Sequence, residues 1–170
     1  MTVSNKDSAF EQSARRLQDK EHRWIANRIY RHVFGEVRIE RFDEGPIDVE
    51  VQKALDILGI DFSLKFTNGT LLAGQEKFLS YNCKSFRTIT ISEHSWKHCA
   101  AQIYFCGYLT IDDQDFEPWV VLNWPSIIRA TAQSQITWKL TLSRTSYPSF
   151  WSTAINVIPI SCIIACNASR

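Results

Sequence analysis

The residues best suited to chemistry are Asp61 and, on a following segment, the run Gln75-Glu76-Lys77. A carboxylate on one strand, facing an acid or amide and a lysine two apart on the next, brings the parts of a phosphodiester-cleaving site to one spot. Such cleavage drives a charged nucleophile at a phosphorus that is already negative. A divalent cation eases it by polarising the phosphate and acidifying a water. Mg²⁺ is usually held by one or two carboxylates plus waters and phosphate oxygens. A nearby lysine can stabilise the developing negative charge. Alternation along a strand sets Gln75 and Lys77 on one face.

The elements that must position these residues are legible in the hydrophobic pattern. Ile60, Phe62, Leu64 and Phe66 alternate with Asp61, Ser63, Lys65 and Thr67, the period of a strand. Asn68-Gly69 predicts a two-residue type I′ turn, and residues 70–79 return antiparallel. A strict two-residue turn sets Asp61 opposite Glu76. A bulge at Ala73-Gly74 instead brings Gln75 and Lys77 round to the Asp61 face. Upstream, residues 8–34 read as one helix with Ser8 and Glu11 as a capping box and Gly35 at its end. Phe10, Ala14, Leu17, Trp24 and Ile25 form its apolar stripe. Glu21 lies within that stripe, either as an edge residue reaching solvent or as an acid aimed inward. A strand over 37–42 and a helix over 48–58 follow, the latter burying Val51, Leu55 and Leu58 and ending at Gly59.

Beyond the hairpin, "FRTITIS" (86–92) reads as a strand and "SWKHCAAQIYFCGYL" as a helix capped by Ser95. "PWVVLNW" has the continuous apolar character of a central strand, and "PSIIRATAQ" starts a helix with Pro125 in its first turn. This order predicts an α+β fold, a mixed sheet flanked by helices, in a single domain spanning 1–170.

The stretch "LDILGIDFSLKFTNGTLLAGQEKFL" resembles the catalytic core of the PD-(D/E)XK, or restriction-endonuclease-like, nuclease superfamily, and is similar to its small phage-type and prokaryotic members. The helix–strand–hairpin–strand–helix–strand order over roughly 8–124 agrees with that core. The resemblance implies a metal-dependent DNA endonuclease using Mg²⁺ or Mn²⁺. It makes Asp61 the metal-binding aspartate, Lys77 the catalytic lysine, and Glu21 the acid that some members supply from the first helix. Gln75 stands where the second acid usually stands, Glu76 is the alternative second metal ligand, and Ile60 replaces the proline before the aspartate. The alternative reading is a catalytically inactive member serving as a nucleic-acid-binding or assembly scaffold. A homodimer would let two sites address two strands.

Composition narrows the rest. A formal charge of +1 argues against a broad polybasic surface but leaves room for a local basic rim, for which Lys65, Lys84, Arg87 and Lys97 are the candidates. The five cysteines show no CxxC pair, and the N-terminus has no signal-peptide core, predicting reduced thiols in a cytoplasmic protein. Residues 150–166 are apolar but short for a membrane span and interrupted by Asn156 and Pro159, so they read as a segment closing the core. His94 and His98 lack a third ligand, "DDQD" at 112–115 reads as a polar turn, and Asp56 reads as a solvated helix residue.

Overall fold

The computed structural model describes residues 19–44, 48–80, 88–141 and 149–167. The architecture is α+β. A six-stranded mixed sheet has a helix on one face and a smaller three-stranded sheet on the other.

Helix α1 (Lys20–Phe34) is capped by Asp19, whose carboxylate accepts from the backbone N–H of Glu21 (2.8 Å) and His22 (3.4 Å). The expected Ser8 cap and residues 8–18 lie outside the described residues. Ile25, Ala26, Ile29 and Tyr30 form the face that packs on the sheet. The expected stripe is displaced at Trp24, which is 57% exposed with the Arg28 guanidinium 4.9 Å from its ring centre. Glu21, two positions from the buried Arg23, points to solvent. Strand β1 (Val37–Arg41) follows, then α2 (Val49–Ile57), capped by Asp48. The expected burial of α2 is not found: it has no fully buried residue, and Val51 and Leu58 are exposed.

Strands β2 (Phe62–Phe66) and β3 (Leu71–Leu79) form the hairpin. Their register pairs Phe62 with Gly74 and Leu64 with Leu72, one residue away from the two-residue-turn expectation. The connection is a three-residue loop, Thr67 to Gly69. Phe66 N–H donates to the Thr70 carbonyl (2.9 Å), Gly69 N–H donates to the Phe66 carbonyl (3.0 Å), and the Asn68 side chain accepts from Thr70 N–H (2.9 Å). Gly69, at φ +84°, takes the left-handed position that such loops require. The one-residue shift therefore arises at the loop rather than at Ala73-Gly74. Gly74 has another role: the Phe62 ring lies over it, and a Cβ there would sit 2.2 Å from a ring carbon.

The chain then leaves the sheet through β4 (Thr88–Ser92) and the short α3 (Glu93–His98), and returns as β5 (Ile103–Leu109), parallel to β3. The expected helix beginning at Ser95 is corrected here. Only its start is helical, because Ile103–Leu109 is buried on both faces as an interior strand. β6 (Phe116–Asn123) is an interior strand, and α4 (Trp124–Ala132) carries Pro125 in its first turn as expected and is capped by Asn123. β7 (Lys139–Thr141) and β8 (Phe150–Ala154) complete the small sheet in the order β4-β8-β7, while β9 (Ile163–Cys166) pairs with β6. The large sheet runs β1-β2-β3-β5-β6-β9.

The apolar segment 150–166 thus contributes a strand to each sheet, joined by two 3₁₀ turns whose Ile155, Ile158 and Cys162 are buried. Among the described residues no helix is long and apolar enough to cross a membrane. Alternation splits the core in two. Phe62, Leu64, Phe78, Phe105 and Val121 pack under α1, while Tyr104, Cys106, Tyr108, Val120 and Leu122 pack against the small sheet and α4.

Candidate functional site

Asp61 precedes β2 and is tied to β3 through both backbone and side chain. Its N–H donates to the Gly74 carbonyl (2.9 Å), and its Oδ2 accepts from the Glu76 N–H (2.7 Å). Continued by one step, the hairpin register sets Asp61 opposite Gln75. By alternation Gln75 and Lys77 share the sheet face opposite Glu76 and Phe78. The structure therefore brings Asp61 and Gln75 together and sets Lys77 two residues further along the same face. Lys77 is half-buried beside Cys106 of β5.

Gln75 is held by packing. Its side-chain amide lies beneath Gly59, where a Cβ would come within 3.2–3.3 Å of it, and its Oε1 accepts from the Cys99 thiol (3.4 Å). Burial pushes that thiol up to about 11. Gly59, at φ +60°, thus both ends α2 and leaves room for Gln75.

Glu76 points the other way, into the layer beneath α1. Its Oε1 accepts from the Tyr30 hydroxyl (2.8 Å), and its Oε2 is paired with Arg41 Nη1. The two charged side chains are 1% and 4% exposed. Arg41 also donates through Nη2 to Asn27 Oδ1 (2.9 Å) and sits 5.8 Å from the Phe62 ring centre. Burial and the Glu76 charge hold the Tyr30 hydroxyl well above its usual range. Burial works against the charge on Arg41, and Glu76 more than offsets it. Glu76 is a partnered core ion and lacks the open oxygens that a metal ligand needs.

Asp61 differs. Its carboxyl is raised to about 7, first by burial and then by the negative charges of Glu76 and Asp56. The Glu76 N–H and Arg41 act in the opposite direction. Among the described residues no cation forms an ion pair with it. It lines a cleft of about 210 Å³ with Arg23, Arg41, Gln52, Asp56 and Glu76. Arg23 is already engaged by Asp43 and by Glu44 (2.6 Å). Asp56, read from the sequence as a solvated helix residue, is exposed yet lines this cleft. Its placement in the last turn of α2, where the helix dipole disfavours an acid, was the available signal.

The expected metal set is only partly assembled. Glu21 is exposed in the first turn of α1 and does not line the cleft, and Glu76 is committed to Arg41 and Tyr30. Among the described residues no group of three His, Cys, Asp or Glu side chains converges as a metal site. Asp61 and Asp56 are the two aspartates that line the cleft; Mg²⁺ usually takes one or two carboxylates and completes its shell with water and substrate oxygens. Of the expected basic rim, Lys84 and Arg87 lie outside the described residues, Lys97 pairs with Glu93 (2.9 Å), and Lys65 is exposed on β2. His98 is exposed on α3, and 112–115 is a polar turn built on Asp112, which accepts from Thr110 (2.6 Å). No protein-family model, curated protein or solved structure matches this chain.

Proposed function

We propose that this chain is a Mg²⁺- or Mn²⁺-dependent DNA endonuclease of restriction-endonuclease-like fold, with Asp61 as the residue that holds the cation. The observation carrying this reading is a carboxylate fixed at the open end of a hairpin, opposite Gln75, raised to about 7 and without an ion-pair partner among the described residues, with Lys77 two residues further along β3. The order of helix, strand, second helix, hairpin, crossover and parallel strand supports it.

A cation bound there supplies Lewis-acid polarisation of the phosphate. Asp61, with Asp56 across the cleft, would hold it, while the Glu76 N–H fixes the orientation of the Asp61 carboxylate. Gln75 stays beneath Gly59 with its Oε1 on the Cys99 thiol, and its part in this reading is to support the Asp61 end of the hairpin. Lys77 brings positive charge towards the negative charge developing on the phosphate. Cleavage should rise through about pH 7, as Asp61 gives up the proton that competes with the cation.

A second reading, a scaffold without catalysis, is favoured by one observation: Glu76, whose backbone N–H bonds Asp61, has its carboxylate locked by Arg41 and Tyr30. The deciding assay is Mg²⁺- or Mn²⁺-dependent cleavage of duplex, single-stranded and branched DNA by the wild type, Asp61→Ala and Lys77→Ala. Cleavage lost in both folded variants supports the enzyme. Failure of pure wild-type protein to cut any substrate moves the assignment to the scaffold.

A further inference from the structure

A second feature lies at the far end of the same hairpin. The C-terminal turn of α1, the start of β1 and the end of β2 border an open groove of about 750 Å³. Three cations, Arg31, Arg38 and Lys65, line it against one carboxylate, Glu36, so its potential is positive although the chain as a whole is near neutral. Arg31 has a local explanation, since a cation is favoured at a helix C-terminus. Arg38 and Lys65 lie on the edge strand β1 and its neighbour, where charged side chains also discourage edge pairing. The β1–β2 register sets them directly opposite each other, and like charges so placed destabilise a sheet. Glu40 pairs with Arg38 at 2.9 Å, but an exposed pair of this kind contributes little. The Arg38 side chain remains 74% exposed, and Lys65 is exposed too.

We infer that this groove holds the phosphodiester backbone of a nucleic acid, with Arg38 and Lys65 as its contacts and Arg31 at its rim. An anion lying between the two opposed cations turns their repulsion into attraction. The groove is broader than a single phosphate needs. Lys65 lies in β2, four residues after Asp61, which precedes that strand. At about 3.3 Å per residue they are roughly 13 Å apart. Ser63 between them is 2% exposed and Gln75 packs beneath Gly59, so the groove is a contact separate from the Asp61 cleft. The inference rests on the proposed function for its substrate class but is tested without cleavage.

The test is fluorescence anisotropy of a labelled 20-base-pair duplex, in EDTA, titrated with wild type, Arg38→Gln/Lys65→Gln and the surface control Lys139→Gln across a range of salt. The expected result is a log–log salt slope shallower by about two in the double variant, near 0.9 per phosphate contact, with weaker binding and an unchanged control. An unchanged slope and affinity, or no binding by the wild type, would overturn the groove. If the wild type fails to cleave but the slope still falls, the groove stands and the nuclease assignment falls. If the wild type cleaves and the slope is unchanged, the reverse holds.

Discussion

Asp61 and Glu76 each carry a carboxylate, the Glu76 backbone N–H donates to that of Asp61, and the protein treats the two side chains in opposite ways. Glu76 is sealed beneath α1, each oxygen satisfied, its charge met by Arg41. Asp61 sits at the edge of a cleft, accepts a backbone N–H, and is left among other negative charges. An ion completed by its own protein serves the fold. An ion left incomplete by the same fold costs stability, and that cost is expected where a ligand completes the site. Nearness in sequence to a motif therefore says less about function than the state of each oxygen.

The comparison can be broken first at Arg41. Arg41→Met leaves Glu76 buried without its counter-charge and should cost about 3–5 kcal/mol in urea unfolding. Adding Glu76→Leu should return much of that loss, because apolar replacement of a whole buried pair is often neutral. A small effect of Arg41→Met alone would show that Glu76 is not the sealed ion described above.

Asp61 should respond with the opposite sign. Its carboxyl keeps its proton to about pH 7 in the folded chain, against about 4 when unfolded. Folding takes up a proton between those values, so this group's contribution falls as pH rises from about 4 to about 7, and remains low above that. Asp61→Asn removes the penalty and can keep the bond to the Glu76 N–H. It should exceed the wild type in stability at pH 8 by a few kcal/mol, since each tenfold change in proton affinity is worth about 1.4 kcal/mol. Thermal melts from pH 4 to pH 8 should show the gap opening with pH, and a constant or absent gap would contradict this.

Smaller effects sharpen the same contrast. Tyr30→Phe deletes one bond to the Glu76 charge, and chemical denaturation should show a loss of about 1.5–3 kcal/mol. Glu21→Ala alters an exposed helix position and should change stability by less than about 0.5 kcal/mol, with the cleavage rate unchanged. A large rate loss would restore Glu21 to the site.

Much of this arrangement is legible from local pattern. Alternation around Phe62 and Leu64, the Asn68-Gly69 loop signal and the acid–lysine spacing place Asp61, Gln75 and Lys77 on a hairpin. The loop length is not legible, since the choice between two and three residues rests on Gly69 taking φ +84° while Thr67 joins the loop. That one residue decides whether Asp61 faces Gln75 or Glu76. Gly74 carries a bulge signal because a glycine in a strand permits either a bulge or a close approach, and the Phe62 ring selects the second. Local sequence is silent on Arg41 reaching Glu76 across 35 positions. It is equally silent on the segment from 150 to 166 contributing to both sheets. Partners distant in sequence leave no periodic trace.

The most direct test of the central claim is a carbon-detected NMR titration of the Asp61 carboxyl, with and without Mg²⁺. It should show titration near 7 in the metal-free protein and a marked fall when Mg²⁺ is added, as the cation replaces the proton. Titration near the ordinary aspartate value, unmoved by Mg²⁺, would contradict the claim that this carboxylate is held ready for a cation.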